Sequence, residues 1–198
     1  MITSPMTETI EAPSAAEEDA SAEGEPPRTG TPVADVMIAD ERWESITGLE
    51  GLIPGLVSAA LIEAGHMPET REVSVALLSG AEVQALNKAF RGKDSATNVL
   101  SFPAGSPAGT PVNPNGPVFL GDVALSFETV NEEAAAQQKT VLHHAAHLVV
   151  HGVLHLAGHD HGSETDAERM EAAERRVLGK FGIPDPYGDD ALPSSDAN

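Results

Sequence analysis

Residues 140–157 constrain the fold of this chain more than any other segment. Apolar side chains dominate the segment, and they are spread around the circumference that a helix would have. A helix that is apolar on most sides must be buried, so this segment is predicted to form the centre of the domain. Its C-terminal end carries histidines, which predicts that the polar face of the buried helix borders a cleft.

The stretch from His151 to His161 has the spacing of a metal site. His151 and His155 stand four residues apart, so on a helix they project from the same face. Gly158 allows the backbone to leave the helix in a left-handed conformation, and the chain can then return so that His161 supplies a third nitrogen. Three neutral imidazoles predict one divalent ion per chain, most often zinc, with a position left open for water. Such a site suits hydrolysis.

Several neighbours of these histidines have more than one interpretation. The spacing selects His161 as the third ligand and leaves His159 as a candidate for substrate contact or a surface position. Asp160 either orients an imidazole, accepts a proton or caps the next helix. His147, one turn before His151, either braces the site or packs as a buried polar residue. His143 and His144 are predicted to be peripheral.

The charge of the chain argues against a general nucleic-acid-binding protein. The formal net charge is −20, of which residues 1–32 carry −6 and residues 183–198 carry −4, leaving −10 for the part between them. Sequence-independent binding to phosphates normally depends on a basic surface. A nucleic-acid substrate would therefore be held by a local cluster, by metal ions or with the help of a partner.

Composition also predicts the domain organisation. Residues 1–32 lack aromatic residues and any sustained apolar period, which predicts a disordered acidic tail, and residues 183–198 are predicted to form a second disordered tail. One folded domain is predicted over residues 33–182. The chain has no cysteine, no basic and apolar leader and no long apolar run, so the expectation is a cytoplasmic protein without a membrane partner.

The pattern along the domain predicts about four strands and about five helices. Strands are predicted at residues 33–38, 72–78, 97–102 and 118–127, and helices at 46–64, 79–92, 128–138, 140–157 and 163–181. The first helix is expected to start near Pro54. Residues 104–117 are rich in Gly, Pro, Ser and Asn and predict a long flexible loop. The mixed order of elements predicts an α+β domain, with helices against one mixed sheet.

Two stretches of the chain resemble the YbeY family of bacterial ribosomal RNA maturation factors. Residues 151–161 match the hallmark His-Gly-x-Leu-His-x-x-Gly-[Tyr/His]-Asp-His of that family. Residues 86–103 contain Leu-Asn, Phe-Arg, Asp and then Thr-Asn-Val-Leu-Ser-Phe-Pro, in the order of the family's upstream signature. Smaller similarities lie at Gly121, Asp122, Ala167, Met170 and Glu174. Together the matches span most of residues 35–180.

The resemblance implies a metal-dependent endoribonuclease specific for single-stranded RNA. It further implies a role in maturation of the 16S rRNA 3′ end and in ribosome quality control, with rRNA and the ribosome or ribosomal proteins as partners and no DNA substrate. In this resemblance His151, His155 and His161 match the zinc ligands, and Arg91 matches the arginine that meets RNA. The long acidic tail and the enlarged loop around residues 104–115 depart from the compact family pattern and bear on substrate or partner docking.

Four further residues are candidates for substrate contact or catalysis. A guanidinium binds phosphate through two parallel hydrogen bonds, so Arg91 is predicted to position substrate or stabilise charge, the alternative being a solvated residue at a helix end. Asn98 and Ser101 are predicted to line the cleft; alternatively Asn98 caps a turn and Ser101 fills a strand. No general base is evident, and Asp160 is the one candidate.

Two other functions compete with the nuclease. Metzincin metalloproteases share the spacing of the three histidines but place a glutamate directly after the first one as general base, where this chain has Gly152. The second alternative is a ribosome-assembly factor in which a metal only stabilises the fold. The acidic charge favours this alternative, because ribosomal proteins are commonly basic.

Overall fold

Four strands form one mixed sheet. The structure is a computed structural model that describes residues 33–105 and 117–188, so the predicted N-terminal tail, most of the predicted loop and residues 189–198 lie outside the described residues. The strands are β1 (Ala34–Ile38), β2 (Arg71–Leu78), β3 (Val99–Pro103) and β4 (Val118–Ser126), in the order β1-β2-β4-β3. β1, β2 and β4 are parallel, and β3 is antiparallel to β4.

Five α-helices accompany the sheet in the described part of the chain. They are α1 (Leu49–Glu63), α2 (Gly80–Arg91), α3 (Phe127–Ala136), α4 (Val141–Leu156) and α5 (Glu164–Gly179). Two short 3-10 turns, Glu41–Ser45 and Pro68–Thr70, complete the set. The predicted α+β class and the counts of strands and helices are confirmed. None of these helices is both long enough and apolar enough to cross a bilayer.

The two faces of the sheet are covered unequally. Alternate residues of β2 and β4, such as Val75 and Val123, join a large core with α1, α4 and α5. The intervening residues face the opposite way and form a smaller cluster with α2, which includes Leu78, Leu100 and Ala124. As predicted, α4 lies at the centre, and most of its sixteen residues are buried.

The first helix starts earlier than predicted. α1 begins at Leu49, after Gly48 in a left-handed conformation (φ 85°), and Pro54 lies inside the helix. Proline lacks the N–H that would bond the carbonyl four residues back, which is why a start near Pro54 was expected. Leu49 and Ile53 are fully buried in the core. Their burial offsets the missing hydrogen bond and keeps the first turn helical.

The packed part of the chain continues past residue 182, where the predicted domain ends. Ile183 is buried in the main core. Tyr187 lies against α4, with its ring centroid 5.4 Å from that of His147. Residues 183–188 therefore pack on the domain and bring the Tyr187 hydroxyl close to His147, near the middle of α4.

Candidate metal centre

Three imidazoles meet at the C-terminal end of α4. Ligand nitrogens of His151, His155 and His161 all lie within 4.8 Å of one another. The Nε2 atoms of His151 and His155 are 3.1 Å apart, close to the separation of about 3.3 Å for two nitrogens on one tetrahedral zinc ion. Gly158 has φ 96°, the left-handed conformation expected of it, and the chain turns back there toward His161. The structure thus brings the predicted trio together.

The outer nitrogens of two of these rings already have partners. His155 Nδ1 lies 3.0 Å from the carbonyl oxygen of His159, and His151 Nδ1 lies 2.8 Å from Glu174 Oε1. Both partners accept hydrogen bonds, so both rings carry their proton on Nδ1 and direct an Nε2 lone pair inward. Two lone pairs 3.1 Å apart repel each other unless a cation lies between them. This donor set fits a divalent metal ion.

The protonation of His155 is consistent with metal binding. Burial lowers the pKa of His155, and repulsion from His151 would lower it further if both rings were protonated. The ring is therefore neutral near pH 7, the form that ligates a metal.

Glu174 on α5 holds two histidines of α4 in place. Its carboxylate is fully buried and accepts hydrogen bonds from His151 through Oε1 and from His147 and Tyr187 through Oε2. Burial alone would raise the pKa of Glu174, but the hydrogen bonds from His147 and His151 outweigh it and lower the pKa to about 2. The carboxylate is thus ionised and orients His151, whose Nε2 then points at the candidate metal position.

His147, His151 and Glu174 form a second group with metal-binding potential. The histidine nitrogens of this group donate hydrogen bonds to the Glu174 carboxylate at 2.8 and 2.9 Å, so protons occupy the positions that a cation would need. We therefore assign this group the role of supporting the first. The prediction that His147 braces the site agrees with its contact to Glu174.

Three of the predicted substrate residues share a cleft with the histidine trio. The cleft has a volume of about 470 Å³ and is lined by Arg91, Asn98, Val99, Ser101, Pro103, His151, His155 and His161. Arg91 Nη2 donates to the carbonyl oxygen of Ser101 at 3.1 Å. Ser101 Oγ in turn donates to the carbonyl oxygen of Gly152 at 3.3 Å, which ties β3 to α4. One guanidinium and three imidazoles therefore border the same space.

The amide of Asn98 is oriented from behind the cleft. Asn98 Nδ2 donates to Glu133 Oε2 at 2.9 Å, and His144 Nε2 lies 2.8 Å from the same oxygen. His144 is buried and lies outside the histidine trio, behind Asn98. Burial lowers the pKa of His144, while the Glu133 carboxylate opposes this shift. His144 and Glu133 together fix which way the Asn98 side chain points.

His159 and Asp160 lie outside this cleft. Both line a separate surface depression of about 420 Å³ with Ala157, Gly158, Asp166 and Arg169. Asp160 Oδ1 accepts a hydrogen bond from the backbone N–H of His161 at 2.8 Å, and the cap of α5 predicted as an alternative for Asp160 is instead Ser163. His159 contributes its carbonyl oxygen to His155 rather than its ring. The structure does not bring their side chains to the candidate metal position.

Glu174 was not among the site residues predicted from sequence, although a signal was present. It falls between Ala173 and Val177, on the side of α5 that carries the buried residues. A lone carboxylate on an apolar helix face is rarely buried without partners, so it should have been paired with the histidines of the central helix.

Replacing Glu174 with glutamine is expected to weaken metal binding by about 10- to 100-fold. A glutamine side chain has one acceptor oxygen where glutamate has two. Its NH2 group would therefore point at a hydrogen-bond donor of His151, or of His147 and Tyr187, and that hydrogen bond would be lost. His151 would lose its orientation while all three candidate ligands remain present. Competition with a chelator measures the affinity. Glu168→Gln, an exposed position on the same helix, is the control, and equal affinities in the two variants would contradict the role given to Glu174.

The comparison with known proteins decides the family. The model of the endoribonuclease YbeY family matches residues 38–182. The chain belongs to the YbeY family. This confirms the resemblance seen in the two sequence motifs, both of which lie inside the matched range.

Several curated YbeY relatives match most of the chain. The endoribonuclease YbeY of Azorhizobium caulinodans is 46% identical over 162 residues, covering 81% of this chain and 97% of that protein. Those of Bradyrhizobium sp. and Nitrobacter winogradskyi are 41% and 40% identical, covering 82% and 81% of this chain and 96% and 84% of theirs. The histidine trio and Arg91 thus lie within a YbeY domain of nearly full length.

Proposed function

We propose that this chain is a metal-dependent endoribonuclease that cleaves single-stranded RNA. The proposed metal is one zinc ion per chain, held by His151, His155 and His161. The proposed substrate is rRNA, with a role in 16S rRNA 3′-end maturation and in ribosome quality control. The ribosome or its proteins would be partners in the cytoplasm, without a membrane or DNA partner.

The cleft that joins the histidine trio to Arg91 is the observation that carries this proposal. Hydrolysis of a phosphodiester by a metal-dependent enzyme requires a cation-binding centre and a group that neutralises the charge that develops on the phosphate oxygens. The imidazoles of α4 offer the first, and the guanidinium at the end of α2 offers the second. The family name, endoribonuclease, supports the same substrate class.

Each cleft residue has a distinct task in the proposed reaction. A divalent ion, when bound, acidifies a water molecule and polarises a phosphoryl oxygen. Arg91 binds a non-bridging phosphate oxygen and so orients the scissile bond. Asn98 and Ser101 offer hydrogen bonds to the sugar-phosphate backbone from β3 and the residue that precedes it. Asp160 lies outside the cleft and is proposed as proton acceptor, which requires its carboxylate to leave the N–H of His161 and turn toward the cleft.

Cleavage of single-stranded RNA by the purified protein, before and after chelation, tests the proposal. Elemental analysis of the same preparation identifies the bound metal. The expected result is one equivalent of zinc, cleavage that a chelator abolishes and zinc restores, and intact double-stranded RNA and single-stranded DNA. Metal-loaded protein that leaves single-stranded RNA intact with every divalent ion would overturn it.

The Arg91→Ala variant is expected to lower kcat/KM for RNA by about 10- to 100-fold without changing the metal content. The guanidinium makes charge-assisted hydrogen bonds to phosphate, and such bonds contribute about 1.5–3 kcal/mol each. Arg176→Ala on α5 is the control, since its exposed ion pair with Glu63 is remote from the cleft. An unchanged kcat/KM in Arg91→Ala would remove Arg91 from the substrate site.

A non-catalytic ribosome-assembly factor is the second candidate, and the net charge of −20 favours it. An acidic protein associates more readily with basic ribosomal proteins than with bare RNA. This function predicts that His155→Ala still associates with ribosomes and that the wild-type protein cleaves no RNA. The metalloprotease is disfavoured, because Gly152 occupies the position of its general base and a digestion assay with casein is expected to be negative.

A further inference from the structure

An apolar groove lies between α2 and the sheet, on the face opposite α4. Its volume is about 1020 Å³, and its wall includes Ala85, Leu86, Ala89 and Phe90 of α2 and Phe102 of β3. Phe90 is 71% exposed, which is unusual for an aromatic side chain of a globular domain. Its ring centroid lies 5.3 Å from that of Phe102, with 60° between the ring planes. Two aromatic rings thus form one edge of an open groove.

This groove adjoins the metal cleft at the β3 edge of the sheet. Arg91, Ser101 and Pro103 line both spaces. The alternation of β3 explains the arrangement: Ser101 contacts α4, and Phe102 points to the other face of the sheet. Because Phe90 and Arg91 both line this groove, an RNA phosphate held by Arg91 would have its neighbouring base within reach of the Phe90 ring.

The chemistry of the groove suits a nucleobase better than a phosphate. Its wall is mainly apolar, and the charged residues that line it besides Arg91 are Glu82 and Asp122. Carboxylates repel the phosphates of RNA but accept hydrogen bonds from the amino groups of bases. Proteins that bind unpaired nucleotides stack the bases on exposed aromatic rings of this kind.

We propose that Phe90 and Phe102 form a stacking platform for an unpaired base of the RNA substrate, next to the phosphate held at Arg91. The inference rests on the proposed ribonuclease function and adds to it a subsite for one nucleotide. It also accounts for a preference for single strands, because a base in a duplex is stacked on its neighbours and cannot lie on Phe90.

Binding of a single-stranded RNA to the metal-loaded full chain tests the platform. The probe is a fluorescent oligonucleotide with phosphorothioate linkages, which resists cleavage, and the readout is Kd from anisotropy. Phe90→Ala is expected to raise Kd about tenfold, and Phe90→Tyr to restore it. Phe90→Leu keeps apolar area but no ring, so it is expected to stay weak. Ile62→Ala removes a comparably exposed side chain on α1 and is expected to bind as the wild type does.

A series of oligonucleotides with one abasic nucleotide each locates the base. At one position of the series, the missing base is expected to raise the Kd of the wild-type protein about tenfold. The same abasic oligonucleotide is expected to leave the Kd of the Phe90→Ala variant unchanged. Such non-additivity shows that the ring and that base contact each other.

The platform is overturned if Phe90→Ala binds RNA with an unchanged Kd, or if Phe90→Leu binds as the wild type does. With an unchanged Kd in Phe90→Ala, the groove would bind a protein partner instead of RNA. With wild-type binding by Phe90→Leu, the RNA would contact the groove through apolar area and not by stacking. These outcomes are distinct from failure of the proposed function. RNA binding that depends on Phe90, without any cleavage, would refute the nuclease and support the platform. RNA cleavage by the wild type, with an unchanged Kd in Phe90→Ala, would support the nuclease and refute the platform.

Discussion

The His155→Ala variant is expected to lose its metal and its RNA cleavage together. His155 is the middle ligand of the proposed trio, and its Nε2 lies 3.1 Å from that of His151. Loss of one imidazole leaves two ligands, and removal of groups that only support a ligand already costs 10- to 100-fold in affinity or activity. We therefore expect cleavage to fall by more than about 100-fold and zinc to fall well below one equivalent per chain.

The matched control is His143→Ala, which removes an imidazole from the first turn of the same helix and lies outside the candidate metal centre. Cleavage rates and elemental analysis are compared for the two variants, and circular dichroism verifies that both are folded. A folded His155→Ala protein that keeps a full equivalent of zinc and cleaves RNA at the wild-type rate would refute the assignment of this site.

The histidine trio could be predicted because its geometry is almost entirely local. His155 follows His151 by four positions on one helix, and the turn at Gly158 requires only the left-handed conformation that glycine permits. Both properties depend on the backbone of one segment. The sequence pattern therefore predicts the position of the rings without knowledge of what packs around them.

The supporting residues depend on packing between distant segments. Glu174 meets His151 only because α5 lies against α4, and Tyr187 joins them because the chain continues across α4 after α5. Glu133 likewise links His144 on α4 to Asn98 before β3. Spacing along one element cannot predict such contacts, which explains why Glu174 was missed.

Gly152 shows how packing can decide between two functions. The position follows the first histidine, where a metzincin protease carries its catalytic glutamate. Here residue 152 faces the sheet and not the cleft: a Cβ atom would lie 2.6 Å from Val123 Cγ1 and 3.1 Å from Ser101 Oγ. Real Cβ atoms do not approach other atoms so closely, and Val123 is a rigid side chain within the core. A glutamate at this position has no space, so the close approach of α4 to the sheet excludes the protease base.

The Gly152→Ala variant is expected to lower the free energy of unfolding by about 2 kcal/mol. Within a helix, alanine is more stable than glycine by about 1 kcal/mol. Overpacking a core typically costs 1–3 kcal/mol, and the close contact with Val123 places the cost at this site near the upper end of that range, so the loss outweighs the gain. Gly51→Ala is the control, since a Cβ on that exposed helical residue of α1 meets nothing within 4 Å and the variant should gain up to about 1 kcal/mol. Urea unfolding measures both. If the two variants are equally stable, α4 does not pack against β4 as closely as the structure has it, and the argument against a general base at position 152 loses its basis.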